Sequence, residues 1–115
     1  MRSRVLIVDD SLPMREFLKM SLGDAVVVVG ECSDGADALD AYSQLRPDWV
    51  LMDVNMKKMD GITATRQIIA AYPKAQVMIV THHTDVKLRQ AARDAGAAKY
   101  VLKEDVIFIA DILRD

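Results

Sequence analysis

Three aspartates stand directly after apolar runs, where a carboxylate is hard to explain as surface decoration. Asp9 and Asp10 follow the run Val5–Val8, and Asp53 follows Trp49–Met52. If both runs are parallel strands, the three acids crowd together at one edge of the sheet, and like charges so close together are costly. A hard divalent cation with oxygen ligands relieves this repulsion. The spacing therefore predicts a Mg²⁺ site, with Mn²⁺ as an alternative, at the end of two strands.

Five short apolar runs recur along the chain, and their continuous composition is typical of strands covered on both faces. The segments between them have helical spacing and end at Pro47, Pro73 or Gly96. This alternation predicts an α/β fold, a (βα)5 doubly wound sandwich with five parallel strands and helices on both faces. The runs are Val5–Val8, Val26–Val29, Trp49–Met52, Val77–Val80 and Tyr100–Leu102.

The first predicted helix follows the acidic pair and starts near Pro13, with Ser11 as a plausible cap. Its apolar residues recur at helical spacing, whereas Arg15, Glu16 and Lys19 are expected to point away from the core. The predicted core-facing residues are Met14, Phe17, Leu18 and Leu22.

The residues that follow the other strands also bear chemistry, and ligands of such sheets bind outside the carboxyl ends of the strands. Thr81 follows the fourth strand and Lys103 follows the fifth, whereas Gly30-Glu31 indicates that the second is an edge strand outside the site. An ammonium and a hydroxyl beside the acids suit a phosphoryl group. Each residue alone could be a turn, a cap or a solvated charge, but four strand ends that agree favour a site. A carboxylate there could attack phosphorus to give an acyl phosphate.

Length and composition exclude several classes of protein. With 115 residues and a formal net charge of −2, the chain is expected to be one domain over residues 1–115 without a basic surface for nucleic acid. Its apolar runs are too short to span a bilayer, and the start of the chain does not have the pattern of a signal peptide. A single cysteine, Cys32, permits no internal disulfide, and we expect a cytoplasmic location.

The chain resembles the receiver (CheY-like) domains of bacterial two-component response regulators over essentially its whole length. The resemblance implies the flavodoxin-like strand order 2-1-3-4-5. It also implies a phosphorelay switch rather than an enzyme, with at most autophosphorylation from small phosphodonors and autodephosphorylation. The expected partner is a histidine kinase or a phosphotransfer protein. The segments that carry the resemblance are Val5–Ser11, Leu51–Met56, Met59–Gly61, Val80-Thr81, Gly96-Ala97 and Tyr100–Lys103.

The resemblance assigns Asp53 the role of phosphoacceptor. It implies that Asp10 is the direct Mg²⁺ ligand, that Asp9 acts through water, and that the backbone carbonyl of Asn55 completes the protein ligands. All of these residues lie in the matching segments.

Thr81, Lys103 and Tyr100 correspond to the residues that respond to the phosphoryl group. Thr81 and Lys103 contact it, and Tyr100 is the aromatic switch that turns inward when the hydroxyl moves, a two-state element biased by local charge. The alternative for Tyr100 is a half-buried strand residue with its hydroxyl in water.

Two positions depart from the usual pattern of the family. Lys57 stands where proline is usual, which frees a φ angle, and we interpret it as a solvated loop residue. The alternatives are a contact to the phosphoryl group or to an acidic patch of a kinase. Glu104 stands where proline commonly follows the lysine, so a cis peptide is not expected.

Two histidines, His82 and His83, follow Thr81, and we expect one to be packed and the other exposed. Asn55 and His83, each two residues after a site residue, are candidates for tuning dephosphorylation. His82 is bulky, and we hypothesise that it slows exchange of the phosphodonor or water at Asp53.

The last predicted helix, from Asp105, is apolar nearly all round, which is unusual for a surface helix. Phe108 and Ile112 remain on a second face and suggest a surface for an effector or a homodimer. The fourth helix, fifth strand and fifth helix are the usual output face of receivers, and no membrane contact is expected. Alternatively, further residues of a longer chain cover this face. The residues expected to face the sheet are Val106, Ile109 and Leu113.

Three other classes compete with a phosphorylatable receiver. A metal-dependent aspartyl phosphatase or phosphotransferase needs two acids separated by one residue and a cap domain, whereas Asp9 and Asp10 are adjacent. A flavodoxin-like cofactor module needs a hydroxyl- and glycine-rich phosphate loop after the first strand. A degenerate receiver would act as a phosphorylation-independent interaction module, but all five core site residues are present.

Overall fold

A single parallel sheet forms the centre of the molecule in the computed structural model, which describes residues 2–114. Met1 and Asp115, the two ends of the predicted domain, lie outside the described residues. The strand order is β2-β1-β3-β4-β5, and every pairing is parallel, so the predicted doubly wound fold is confirmed. The strands are β1 (Ser3–Val8), β2 (Val26–Cys32), β3 (Trp49–Met52), β4 (Val77–Thr81) and β5 (Lys99–Leu102).

Within residues 2–114, five α-helices connect and cover the strands. Short 3₁₀ segments lie at Gly23–Ala25, Gly35–Asp37 and Lys103–Phe108. No helix within residues 2–114 is long and apolar enough to cross a membrane. The helices are α1 (Leu12–Leu22), α2 (Ala38–Leu45), α3 (Gly61–Ala71), α4 (Val86–Asp94) and α5 (Ile109–Leu113).

The start of the last helix differs from the prediction. A 3₁₀ segment occupies Lys103–Phe108, and the α-helix begins only at Ile109 rather than at Asp105. The tighter 3₁₀ turn follows β5 without a spacer, and it keeps the chain close to the sheet, where Lys103 is tied to two carboxylates. The Lys103–Glu104 peptide is trans, as are the other peptides of the described residues.

Two apolar layers lie on opposite faces of the sheet because β1, β3 and β4 are buried on both sides. Leu6, Val50 and Ile79 pack on the face covered by α2, α3 and α4. Ile7 and Leu51 pack on the other face, against α1 and α5. The continuous apolar runs of β1, β3 and β4 therefore correspond to central strands that are covered on both faces.

The first helix buries a narrower face than its spacing predicts. Leu18 and Leu22 are buried, whereas Phe17 is 46% exposed, so its predicted core position is wrong. Arg15, which is predicted to point away from the core, is only partly exposed. Arg15 is turned towards β2 and pairs with Glu31 at 2.9 Å. An apolar i, i+3, i+4 pattern fixes the side of a helix that is buried, but not how far around the helix burial extends.

Candidate functional site

The three aspartates meet because their strands are neighbours. Val8 pairs with Met52 at the ends of β1 and β3, and the Asp53 N–H donates to the Val8 carbonyl at 2.8 Å. One carboxylate oxygen from each of Asp9, Asp10 and Asp53 lies within 4.8 Å of the others. Asp9 and Asp53 are buried and Asp10 is exposed. The site is therefore a pair of buried carboxylates with a third carboxylate at its mouth.

Lys103 bridges the two buried carboxylates. Its Nζ lies 3.1 Å from Oδ2 of Asp9 and 3.2 Å from Oδ1 of Asp53. Burial lowers the pKa of Lys103, but the charges of Asp53 and Asp9 outweigh it and raise that pKa overall. Burial, followed by the charge of Asp9, raises the pKa of the Asp53 carboxyl, and Lys103 only partly opposes this. The ammonium is therefore retained beside a carboxylate that burial makes costly.

The donor set suits a hard divalent cation. Three carboxylates face one ammonium, so the site carries a net negative charge, and all its ligand atoms are oxygens. One of the three acids, Asp10, is open to solvent, which suits an ion that keeps several of its water ligands. Asn55 is exposed and lies two residues after Asp53, in the loop that follows β3 at this edge of the sheet.

The backbone of His83 joins Thr81 to Tyr100. Thr81 is buried at the end of β4, and its hydroxyl accepts the His83 N–H at 3.2 Å. The Tyr100 hydroxyl donates to the His83 carbonyl at 2.8 Å. Burial raises the pKa of this hydroxyl, with Arg89 opposing, so the phenol stays protonated and can donate at neutral pH. The two predicted switch residues thus share one backbone partner.

Both histidines are exposed, so the prediction that one of them is packed is wrong. The reason is that β4 ends at Thr81, and the alternation of a strand no longer applies to the two residues that follow. The His83 ring reaches across to the loop after β3, where its Nε2 lies 2.6 Å from Nδ2 of Asn55. The two residues predicted to tune dephosphorylation are therefore in direct contact.

Helix α3 begins immediately behind the phosphoacceptor candidate. Asp60 caps it by accepting the Thr63 N–H at 2.8 Å, and the Gly61 N–H donates to the Val54 carbonyl at 2.8 Å. A Cβ on Gly61 would overlap the carbonyl oxygen of Asp53. The glycine is required because the helix start and the Asp53 backbone are in contact.

Two residues near the site are not predicted from the sequence alone. Arg15 Nη1 donates to the Asp9 carbonyl at 2.6 Å, and Asp34 accepts backbone N–H groups from the loop after β3. Arg15 occupies a helix position that the pattern assigns to solvent. Asp34 follows the edge strand, whose end was placed outside the site. The only signal was Asp34-Gly35, an ordinary turn dipeptide.

Residues 5–108 match the model of the response regulator receiver domain family. The chain belongs to this family. The receiver domain resembles Protein CcdB of Bacillus subtilis, with 38% identity over 102 residues that make up 88% of this chain and 85% of that protein. It spans less than half of two longer transcriptional regulatory relatives, 44% of one and 48% of the other. Phosphorelay signal transduction is therefore the function of this domain.

Solved structures agree with the assignment of this receiver. A two-component response regulator of the LuxR family from Aurantimonas sp. SI85-9A1 has a TM-score of 0.91 at 31% identity, over 96% of this chain and 81% of that chain. The CheX-CheY-BeF3-Mg complex from Borrelia burgdorferi has a TM-score of 0.83 at 28% identity, over 88% and 78% of the two chains. Receiver domains bind Mg²⁺ and interact with kinases, phosphotransfer proteins and effectors.

Proposed function

We propose that Asp53 receives a phosphoryl group from a histidine kinase or a phosphotransfer protein in the cytoplasm, with Mg²⁺ at the acidic cluster. The observation that carries the proposal is the geometry around Asp53, whose carboxylate lies 3.2 Å from the Lys103 ammonium and beside two further acids. Asp10 and Asp53 would hold the metal together with the Asn55 carbonyl, and Asp9 would act through water. The Borrelia complex supports this, since it contains Mg²⁺ and the phosphoryl mimic BeF3⁻.

The transfer is a displacement at phosphorus. A carboxylate oxygen of Asp53 attacks, the bond from phosphorus to the donor's imidazole nitrogen breaks, and that nitrogen keeps the electron pair. Lys103 would pair with the phosphoryl oxygens as they arrive, since its Nζ is already held at Asp53. Mg²⁺, when bound, supplies neutralisation of the charge spread over these oxygens. The product is an acyl phosphate on Asp53.

The output of the proposed switch passes through His83. The Thr81 hydroxyl now accepts the His83 N–H, so a move of that hydroxyl towards the phosphoryl group would disturb this bond. The carbonyl of the same residue, which belongs to the next peptide unit, accepts from Tyr100. A change at Thr81 would thereby reach Tyr100 and the surface formed by α4, β5 and α5.

The surface of α4, β5 and α5 is proposed to contact an effector or a second copy of the domain. Phe108 is 54% exposed and Ile112 is 39% exposed, as their positions on a second helix face predict. Both border a groove that also contains Tyr100. The proposed switch residue thus lines the proposed output surface, so a change in its rotamer would alter that surface directly.

Phosphorylation of the wild-type domain by acetyl phosphate is the test of the proposed function. Intact-mass spectrometry is expected to show one phosphoryl adduct in the presence of Mg²⁺ and none in EDTA. BeF3⁻ with Mg²⁺ should change the amide NMR shifts of Thr81 and Tyr100, because both bind the backbone of His83. If acetyl phosphate and Mg²⁺ leave the mass of the folded protein unchanged, the phosphoacceptor proposal is wrong.

Three residues near the mouth of the site are proposed to tune the rate of dephosphorylation. His82 is exposed next to Thr81, and we expect His82→Ala to raise both phosphorylation and dephosphorylation rates by easing access to Asp53. Asn55→Ala and His83→Ala should each change the dephosphorylation rate, and the double variant should change it no further than one single variant, because one contact joins the pair. The measurement is decay of the phosphoryl adduct after removal of the donor. Unchanged rates in His82→Ala, or additive effects in the pair, would contradict these roles.

A further inference from the structure

We propose that Asp34, at the end of the edge strand, is a positioning residue for the metal site, because it holds the loop 54–60 that carries the Asn55 carbonyl. The inference rests on the proposed function and deepens it. Asp34 is 8% exposed, although it lies in a surface turn. Its carboxylate is turned inward, towards the backbone of the neighbouring loop.

The Asp34 carboxylate accepts three backbone N–H groups. Oδ1 accepts from Ala36 at 2.9 Å and from Met59 at 3.0 Å, and Oδ2 accepts from Lys58 at 2.9 Å. The N–H groups of Ala36 and Lys58 are the main causes that lower the pKa of this carboxyl. Hydrogen bonds to an ionised carboxylate are stronger than those between neutral groups. Asp34 therefore joins its own turn to the loop 54–60.

Backbone packing supports the same connection. A Cβ on Gly35 would lie 2.5 Å from the Met59 carbonyl oxygen, so the two loops touch through their main chains. The loop 54–60 contains no proline, and Lys57 leaves a free φ where a fixed one would stiffen the chain. Restraint of this loop must come from its contacts, and the Asp34 carboxylate supplies two of them.

The position of these contacts relates Asp34 to the metal. Lys58 is three residues beyond Asn55, and the start of the loop is fixed by β3 and by the Gly61 N–H on Val54. Release of Lys58 and Met59 would leave the Asn55 carbonyl restrained only from the side of Val54, and the rest of the loop would be free to move. Groups that orient metal ligands without touching the metal typically contribute about 10–100-fold to metal affinity.

The test compares Mg²⁺ affinity in unphosphorylated variants of the whole domain. Asp34→Ala is expected to raise the Mg²⁺ dissociation constant, measured by NMR titration with MgCl2, by about tenfold. It should also speed hydrogen exchange at the Lys58 and Met59 amides. Asp34→Asn should lie between Asp34→Ala and wild type, because the new amide keeps an oxygen acceptor but its nitrogen cannot accept the Lys58 N–H.

Asp37→Ala is the matched control. Asp37 is an exposed acid in the 3₁₀ turn that follows Asp34 and lines the same surface pocket as Asp10 and Lys57. The Asp37→Ala substitution removes one negative charge near the site but leaves both contacts of Asp34 to the loop 54–60 intact. We expect Mg²⁺ affinity within about twofold of wild type, as for other solvated charges. A loss of Mg²⁺ affinity as large as the loss in Asp34→Ala would show that the effect comes from the negative charge, and it would overturn the positioning role.

Two results overturn the inference. One is wild-type Mg²⁺ affinity in Asp34→Ala, even with faster amide exchange, since the contacts would then be structural only. The other is wild-type Mg²⁺ affinity in a folded Asp34→Asn variant. This second result decides the question if Asp34→Ala does not fold. Failure of the proposed function looks different. A wild-type domain that binds Mg²⁺ but is not labelled by acetyl phosphate refutes phosphorylation and leaves the Asp34 comparison intact.

Discussion

Asp53→Asn is expected to abolish labelling by acetyl phosphate completely, while the protein stays folded. The amide is nearly the same size as the carboxyl but is not a nucleophile towards phosphorus, and it replaces one carboxylate oxygen of the acidic cluster by an NH2 group. Intact-mass spectrometry with Mg²⁺ present is the measurement. Asp24→Asn, which changes an exposed acid in the turn after α1, should be labelled like wild type.

The same variant is expected to be more stable than wild type at neutral pH in EDTA. Burial and Asp9 raise the pKa of Asp53 in the folded state above its ordinary value of 3.8. The folded state therefore binds the Asp53 proton more tightly than the unfolded state does. The stability that this proton contributes is fully present below pH 3.8 and is lost as the pH rises through the folded pKa.

Asparagine stays neutral at every pH, so the variant avoids the cost of an ionised, buried Asp53. Its melting temperature should exceed that of wild type at pH 7, and the difference should shrink as the pH falls towards 3.8. Lys103 keeps Asp9 as a partner in the variant, so its charge is not stranded. A variant that loses labelling but is less stable at neutral pH would contradict the electrostatic account. A labelled variant would show that Asp53 is not the acceptor.

Gly61→Ala is expected to lower the free energy of unfolding by about 3 kcal/mol, near the upper end for one extra methyl group in a packed region. The new Cβ would overlap the Asp53 carbonyl oxygen and approach Met52 Cγ to 2.9 Å. The obstacle is mainly backbone, and this backbone is held by β3 and by the Gly61 N–H on Val54. Either α3 or the end of β3 must therefore shift, and chemical denaturation with urea measures the cost.

Gly30→Ala is the matched control for this substitution. A Cβ there would lie 2.6 Å from Cδ1 of Leu45 and 3.4 Å from Cδ1 of Leu6, and the nearer contact is the end of a flexible side chain. Because that side chain can change rotamer, we expect a smaller loss of about 1 kcal/mol. Equal losses in the two variants would show that the contact of α3 with the Asp53 backbone is not rigid.

The principal site residues could be found from the sequence because they stand at the ends of apolar runs. The runs that end before Asp9, Asp53 and Thr81 are buried strands and the run before Lys103 is a half-buried one, and parallel strands bring their carboxyl ends to one edge. A strand that is buried on both faces has a continuous run of apolar residues, and such a run can be recognised from its own segment of the sequence. The roles of these residues in phosphoryl transfer stay predictions until they are tested.

The errors fall where a residue's environment is set by another part of the chain. Phe17 has the spacing of a core residue but lies beyond the edge of the face that the sheet covers. Arg15 looks like a solvated helix residue but donates to the Asp9 carbonyl. His82 and His83 were assigned by strand alternation, and the strand stops one residue earlier.

The periodicity of the chain was enough to establish five parallel strands and the convergence of Asp9, Asp53 and Lys103, because strand burial and strand ends are local properties. Packing alone established that Asp34 reaches Lys58, 24 residues away, and that His83 reaches Asn55, 28 residues away. These contacts join loops, which have no repeating pattern, and their geometry depends on how two separate strand ends are placed side by side. The acidic cluster could therefore be predicted from the sequence, whereas the contacts of the loops around it are determined only by the tertiary structure.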